Sequence, residues 1–221
     1  MRIVDLTLPV KAVEMHRDAP AAPAREQATI TTRIWHLPKP EPGYEARVHY
    51  FNHWSMSGTY LDLPGHVVET DDGTDAVTLP VERLFRVDAQ VIRLGRAENP
   101  GPVTAAELAR ACPSAAPTPA LIVNALGDRR PDPIRERAIF FEREAVDWMI
   151  SRGISLLVSD VYECAAEPRG VFSMLFAAGV ITVCCPASLG RLRAAAVRVT
   201  ALPIRICGAT QIPCRLVVEE P

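Results

Sequence analysis

The chain has 221 residues, 48% of them hydrophobic, and a formal net charge of -2. That is enough apolar material for one sizeable core, and a single domain over 1–221 is the expectation at this length. The near-neutral balance gives no reason to expect nucleic acid or an anionic membrane as partner. The opening Met1–Pro9 lacks the apolar run of a signal peptide, and no later run approaches a membrane span, so a cytoplasmic protein is expected. Six cysteines at 112, 164, 184, 185, 207 and 214 form no CxxC pair and are expected as reduced, buried thiols. Abundant alanine, arginine and proline, with lysine only at 11 and 39, fit a bacterial source with GC-rich coding.

In chain order, Arg2–Leu8 alternates around Ile3, Val4 and Leu6 and predicts a short opening strand. Residues 10–26 predict a loop. The β-branched run 27–36 predicts a strand, and Pro38, Pro40, Pro42 and Gly43 predict a turn into a second strand over 44–54. Residues 67–75 predict a polar turn, Leu79–Phe85 a short helical turn, and Val87–Leu94 a strand. Thr104-Ala-Ala-Glu107 is a capping-box pattern that opens a helix through Ala111. After a Pro-Ser-Ala linker, Ala120–Ala125 predicts a buried strand. Glu142–Arg152 predicts an amphipathic helix with Val146, Met149 and Ile150 on one face, stopped by Gly153. Ile154–Val158, a small helix over Val171–Ala178, Val180–Cys184, a long strand over Ala195–Ile206 and a closing strand through Val218 complete the chain. Strands alternating with helices between 87 and 184 predict an α/β protein, with mixed pairing added by the long terminal strands.

The stretch with the most chemistry is Met56-Ser-Gly-Thr-Tyr-Leu-Asp-Leu-Pro-Gly-His66. Pro64 restricts φ and Gly65 frees it, which predicts a sharply turning loop. It places a carboxylate, Asp62, four residues from an imidazole, His66, and such a pair can move protons near neutral pH. Asp62 has a bland alternative as a turn-capping residue, and His66 one as a structural histidine.

The same stretch resembles the metal-binding signature His-x-Gly-Thr-His-x-Asp-x-Pro-x-His of the cyclase family that includes bacterial kynurenine formamidase and isatin hydrolase. Gly58, Thr59, Asp62, Pro64 and His66 match, whereas Met56 and Tyr60 stand where the signature has histidine. Segments at Ile3–Pro9, Leu79–Phe85, Leu121–Asp128, Gly153–Asp160 and Ala201–Ile206 resemble the family in order and spacing, so the likeness covers almost the whole chain. It implies a compact cyclase-like α/β domain with a mixed β-sheet and flanking helices, found as a homo-oligomer (dimer or tetramer). It also implies a metal site built from the motif histidines, the motif aspartate and a later His and Glu, with the last motif histidine as acid/base.

Carried over residue by residue, the resemblance puts the two motif histidines on Met56 and Tyr60, the aspartate on Asp62 and the acid/base on His66. The later His and Glu fall on Phe172 and Cys184, and no histidine follows His66. A catalytic zinc or manganese site needs three or more protein donors, and these positions retain only Asp62 and Cys184. A rescue site from His49, His53, Asp62, His66 and Cys184 is the alternative. The expectation is therefore a metal-independent enzyme without cofactor, in which His66 moves a proton, Asp62 orients it and Tyr60 donates to a developing oxyanion, with Tyr60 as an aromatic filling the space of the absent ions as the alternative. Gly58, Thr59, Met56, Phe172, Cys184, Trp54 and His53 are expected around the substrate, with Trp35 and Tyr50 as further aromatic candidates. Cys184 and Cys164 are also weighed as nucleophiles against a reading as buried thiols. The expected reaction is a cyclase- or dehydratase-type step on a small aromatic or polyketide-like carbonyl compound in bacterial secondary metabolism. The alternatives are a metal-dependent amide or lactone hydrolase with an atypical site, and a non-catalytic binding or partner protein.

Overall fold

The computed structural model describes residues 1–14, 29–37, 46–129, 138–164 and 168–221. Most of the loop expected over 10–26 and the turn at Pro38–Gly43 lie outside these residues. The strands are β1 Arg2–Asp5, β2 Lys11–Glu14, β3 Thr29–Leu37, β4 Ala46–Asn52, β5 Tyr60–Asp62, β6 Val87–Arg93, β7 Gly101–Val103, β8 Ala120–Asn124, β9 Ile139–Phe141, β10 Leu156–Ser159, β11 Ile181–Cys184, β12 Ala196–Pro203 and β13 Gln211–Glu220. Three α-helices, α1 Ala105–Ala111, α2 Arg143–Ser151 and α3 Val171–Ala177, are interleaved with them among the described residues.

Eight strands form one mixed sheet in the order β1-β13-β12-β6-β8-β10-β11-β5, and a further β13–β5 pairing closes it into a barrel-like wall. The sequence shows which strands are covered on both faces. In β8 all of Ala120–Asn124 is buried, and it runs parallel to β6 and β10 on either side. Such continuous apolar runs suit a strand packed on both faces. In β12 and β13 buried and more exposed residues alternate, so one face looks to solvent. Leu61, Val91, Ile122, Val158, Val183, Val199 and Leu216 fill the inner core. Leu121, Val123, Leu157 and Cys184 face a second core beneath the helices, with Val146 and Met149 of α2 and Leu175 of α3.

The helices form where the local chemistry predicts. The Thr104 hydroxyl accepts from the Glu107 backbone N–H at 3.2 Å and caps α1. Gly153, at φ 70°, ends the turn after α2. The Glu163 carboxylate accepts from the backbone N–H of Val171 at 2.8 Å and from that of Arg169, and the Arg169 guanidinium pairs with Glu142 at 2.9 Å. This clamp fixes the start of α3, the helix that lies against the 3-10 turn carrying His66.

Four expectations change. Residues 11–14, read as loop, form β2, parallel to β3 in a separate sheet ordered β2-β3-β4. The long strand expected to reach Ile206 stops at Pro203. The cysteines are not uniformly buried: Cys184, Cys185 and Cys214 are, Cys112 and Cys164 are half-buried and Cys207 is exposed. The motif is not one loop, because Tyr60–Asp62 is a buried strand held between β11 and β13. Three residues are too few to display a periodicity, so tertiary pairing alone reveals β5.

Candidate active site

Each side of β5 contributes to the site. Asp62 lies opposite Thr182 of β11 and opposite Gln211 of β13. Strand alternation puts Tyr60 and Asp62 on one face and Leu61 in the inner core on the other. After Asp62 the chain turns through a 3-10 segment Pro64–His66, with the His66 N–H donating to the Leu63 carbonyl at 2.9 Å. Gly65 serves close approach here: a Cβ would come within 2.7 Å of Asp71 Oδ1 and 2.8 Å of Thr210 Cγ2. The turn therefore packs tightly beside Thr210 and brings His66 next to Gln211.

The central contact is the Gln211 side-chain amide. Its Nε2 donates to Asp62 Oδ1 at 2.7 Å and lies 3.1 Å from His66 Nε2. Its Oε1 accepts from Ser55 Oγ at 2.6 Å. The expected Asp62–His66 relation thus runs through Gln211. Cys184 Sγ donates to the other Asp62 oxygen, Oδ2, at 3.4 Å. Asp62 is only 2% exposed, whereas His66 is exposed, with its ring edge-on to Phe176 at 6.3 Å between centroids. A buried carboxylate beside an accessible imidazole can orient proton transfer at the surface of a pocket.

The negative charge at Asp62 is felt by its neighbours. Burial pushes the Tyr162 hydroxyl well above the usual phenol range, and the nearby Cys184, Asp62 and Tyr60 add to this. Tyr162 is anchored by donating to the Val183 carbonyl at 2.8 Å. Burial raises the Cys214 thiol to about 12, with Asp62 again contributing.

The remaining sequence-predicted residues separate into scaffold and rim. Thr59 Oγ1 accepts from Leu8 N at 2.7 Å and donates to the Cys185 carbonyl at 2.8 Å, tying the motif to the N-terminal segment and the end of β11. Gly58 adopts φ 73°, and a Cβ there would meet Val10 Cγ1 at 2.8 Å, so its role is conformational. Tyr60, 5% exposed, packs in the core under the helices with Cys184 as its register partner on β11. Phe172 stacks on Tyr162 at 5.2 Å and on Phe176 at 5.8 Å, extending an aromatic wall to His66. Met56 and Trp54 are 40% and 52% exposed, and His53 is exposed with Nδ1 2.9 Å from the Trp54 carbonyl. Cys184, fully buried, faces Asp62 with its Sγ as donor.

The donor set does not fit the metal that the resemblance implies. Among the described residues no three of His, Cys, Asp and Glu converge to hold an ion, the rescue set from His49 to Cys184 included. Asp62 already accepts from an amide and a thiol. Sequence reading missed Gln211, Ser55 and Phe176. Gln211 is 149 positions from Asp62 and carries no local motif, and only the β13–β5 register joins them.

The comparisons with known proteins agree with this architecture. Isatin hydrolase A from Labrenzia aggregata, solved with benzyl benzoate bound, has a TM-score of 0.73 at 20% identity, over 98% of this chain and 93% of that one. A predicted metal-dependent hydrolase from Bacillus stearothermophilus has a TM-score of 0.69 at 16% identity, over 98% and 97%. Isatin hydrolase A from Ralstonia solanacearum has a TM-score of 0.69 at 18% identity, over 98% and 91%. No curated protein matches the chain in sequence. No helix among the described residues is long and apolar enough to cross a membrane. The sequence pattern of the family described as "Putative cyclase" matches residues 4–165, most of the chain and the whole Met56–His66 motif, and the protein therefore belongs to the Cyclase family.

Proposed function

We propose that the protein is an enzyme that performs acid/base chemistry without a divalent metal on a small aromatic or polyketide-like carbonyl compound. The reaction class is cyclisation, dehydration or isomerisation, in the cytoplasm of a bacterium and in secondary metabolism. The observation that carries this reading is the Asp62–Gln211–His66 array, in which an amide bridges the carboxylate and imidazole. His66 moves the proton and Asp62 orients it through Gln211. Tyr60, with a backbone N–H near Gly58, holds the developing oxyanion. Half-buried Phe172, backed by buried Phe176, offers an apolar face suited to a flat substrate. Generating hydroxide at neutral pH is the task that a bound metal performs in hydrolysis, and a site poor in metal donors favours proton transfer.

The test uses untagged protein and an aryl methyl ketone in deuterated buffer. Deuterium exchange at the α-carbon that persists after chelation and disappears in His66→Ala supports the reading. Stoichiometric bound metal, with activity lost on chelation, overturns it. That outcome favours a metal-dependent amide or lactone hydrolase with an atypical site, the reading that the isatin hydrolase and metal-dependent hydrolase neighbours support.

A homo-oligomer, dimer or tetramer, is the assembly we propose. Trp35, Tyr50 and Phe51 of the β2-β3-β4 sheet are 46%, 52% and 50% exposed. Trp35 and Tyr50 lie together, 6.1 Å between ring centroids, and an exposed apolar patch of this kind is a usual mark of an interface.

A further inference from the structure

The Gln211 amide carries information about His66 that no local motif contains. Its two ends are distinguishable by their partners. Asp62 Oδ1, 2.7 Å away, is a carboxylate oxygen that accepts, so the amide end facing it is the NH2 group. Ser55 Oγ, 2.6 Å from the other end, can donate to the carbonyl oxygen. The Asp62 contact selects this orientation, and the Ser55 hydroxyl, able to donate or accept, is compatible with it. The same Nε2 then points its second hydrogen at His66 Nε2, 3.1 Å away. A ring nitrogen facing an N–H must offer a lone pair, so the imidazole proton resides on the other nitrogen, Nδ1.

We infer that Gln211 is a positioning residue that fixes neutral His66 as its Nδ1–H tautomer, so that the exposed ring meets a substrate carbonyl as a hydrogen-bond donor. His66 makes no other side-chain hydrogen bond among the described residues, so this N–H is available to a substrate oxygen. A neutral imidazole that polarises a carbonyl supplies by hydrogen bonding part of what a Lewis acid supplies by charge. The Nε2 lone pair acts as a base only when the Gln211 amide turns away from it. The significance for turnover rests on the acid/base reading of His66 given above, while the tautomer itself does not.

The experiment is two-dimensional long-range 1H–15N NMR of the full chain labelled with 15N-histidine, without substrate, at about pH 8.5, well above the ordinary imidazole value. The His66 signal is assigned by its absence in His66→Asn. The wild-type protein is expected to show the Nδ1–H pattern. Gln211→Leu removes the donor, and the ratio of Nδ1–H to Nε2–H forms is expected to fall about tenfold, the worth of one such hydrogen bond. Gln211→Glu places an acceptor against Nε2 and is expected to invert the pattern; Gln211→Leu carries the test if that variant does not fold beside Asp62. A wild-type Nε2–H pattern, or a pattern unmoved by Gln211→Leu in a folded protein, overturns the inference. With the Nδ1–H pattern confirmed, ketone exchange that survives His66→Ala overturns the acid/base reading and leaves the tautomer assignment standing.

Discussion

β8 is an aliphatic strand and β4 carries Val48, Tyr50 and Phe51, yet the two strands reach opposite environments. Every residue of β8 is buried, whereas Arg47–Tyr50 and Phe51 of β4 are exposed on both faces. β8 lies between two parallel strands and under the helix layer, while β4 is the end strand of the three-stranded sheet and pairs with β3 among the described residues. Strand-forming side chains therefore say that a segment is extended, and neighbours decide whether it becomes wall or surface. The candidate site belongs to the wall. Asp62 and Gln211 sit where the sheet closes on itself, and their geometry inherits its rigidity.

The largest difference between wall and sheet is expected in activity. His66→Ala should reduce ketone α-exchange by about 10²–10⁴-fold with the fold intact, while Tyr50→Ala should leave the rate per chain within about twofold. Equal losses in both variants would place the chemistry outside the wall. Stability is the next contrast. Leu121→Ala in β8, at a site with no exposure, should lower the unfolding free energy by about 2–5 kcal/mol in urea titration. Tyr50→Ala should change it by about 0.5 kcal/mol or less at dilute concentration. Equal costs would mean that the β2-β3-β4 sheet is covered within a single chain.

Thr59→Val tests how the motif is tied into the wall. It removes the acceptor for Leu8 N and the donor to the Cys185 carbonyl, and should cost about 1–3 kcal/mol with melting temperature as readout. A pH titration probes a further buried carboxylate of the wall, Asp160. Burial raises Asp160 from 3.8 to about 6, against the backbone N–H groups of Ala125 and Leu126 that pull it down. The folded state thus holds its proton at pH values where the unfolded chain has released it. Stability should fall as pH rises from about 4 to about 6 and level off above, and Asp160→Asn should flatten that segment. The smallest effect on the single chain, but a clear one on assembly, is expected from Phe51→Ser, which should shift the sedimentation profile toward smaller species if the exposed sheet holds the oligomer.

Much of the architecture is legible in the sequence because it is locally encoded. The capped α1, the amphipathic α2 ended at Gly153, and strands such as β6 and β8 carry their own periodicity or composition. The strands β5, β7 and β9 were not legible, since three residues express no period and form by pairing with distant chain. The candidate site divides the same way. The Pro64–Gly65 turn, Asp62, His66 and the replacement of donor positions by Met56 and Tyr60 are readable from one stretch. Gln211 was not, because nothing around Thr210-Gln211-Ile212 distinguishes it until β13 is laid beside β5.

By itself, then, the sequence determined the candidate groups of the motif: a carboxylate at Asp62, an imidazole at His66, and Met56 and Tyr60 where the family signature has histidine. It also determined the turn, since proline and glycine act on the backbone where they stand. Only the tertiary structure decided how acid and base are related. Asp62 and His66 are four residues apart in the chain, but the group that joins them arrives from 149 residues away through closure of the sheet. Register between strands is a collective outcome of packing, so the bridging amide, and with it the face that His66 presents, could not be read from any single stretch of chain.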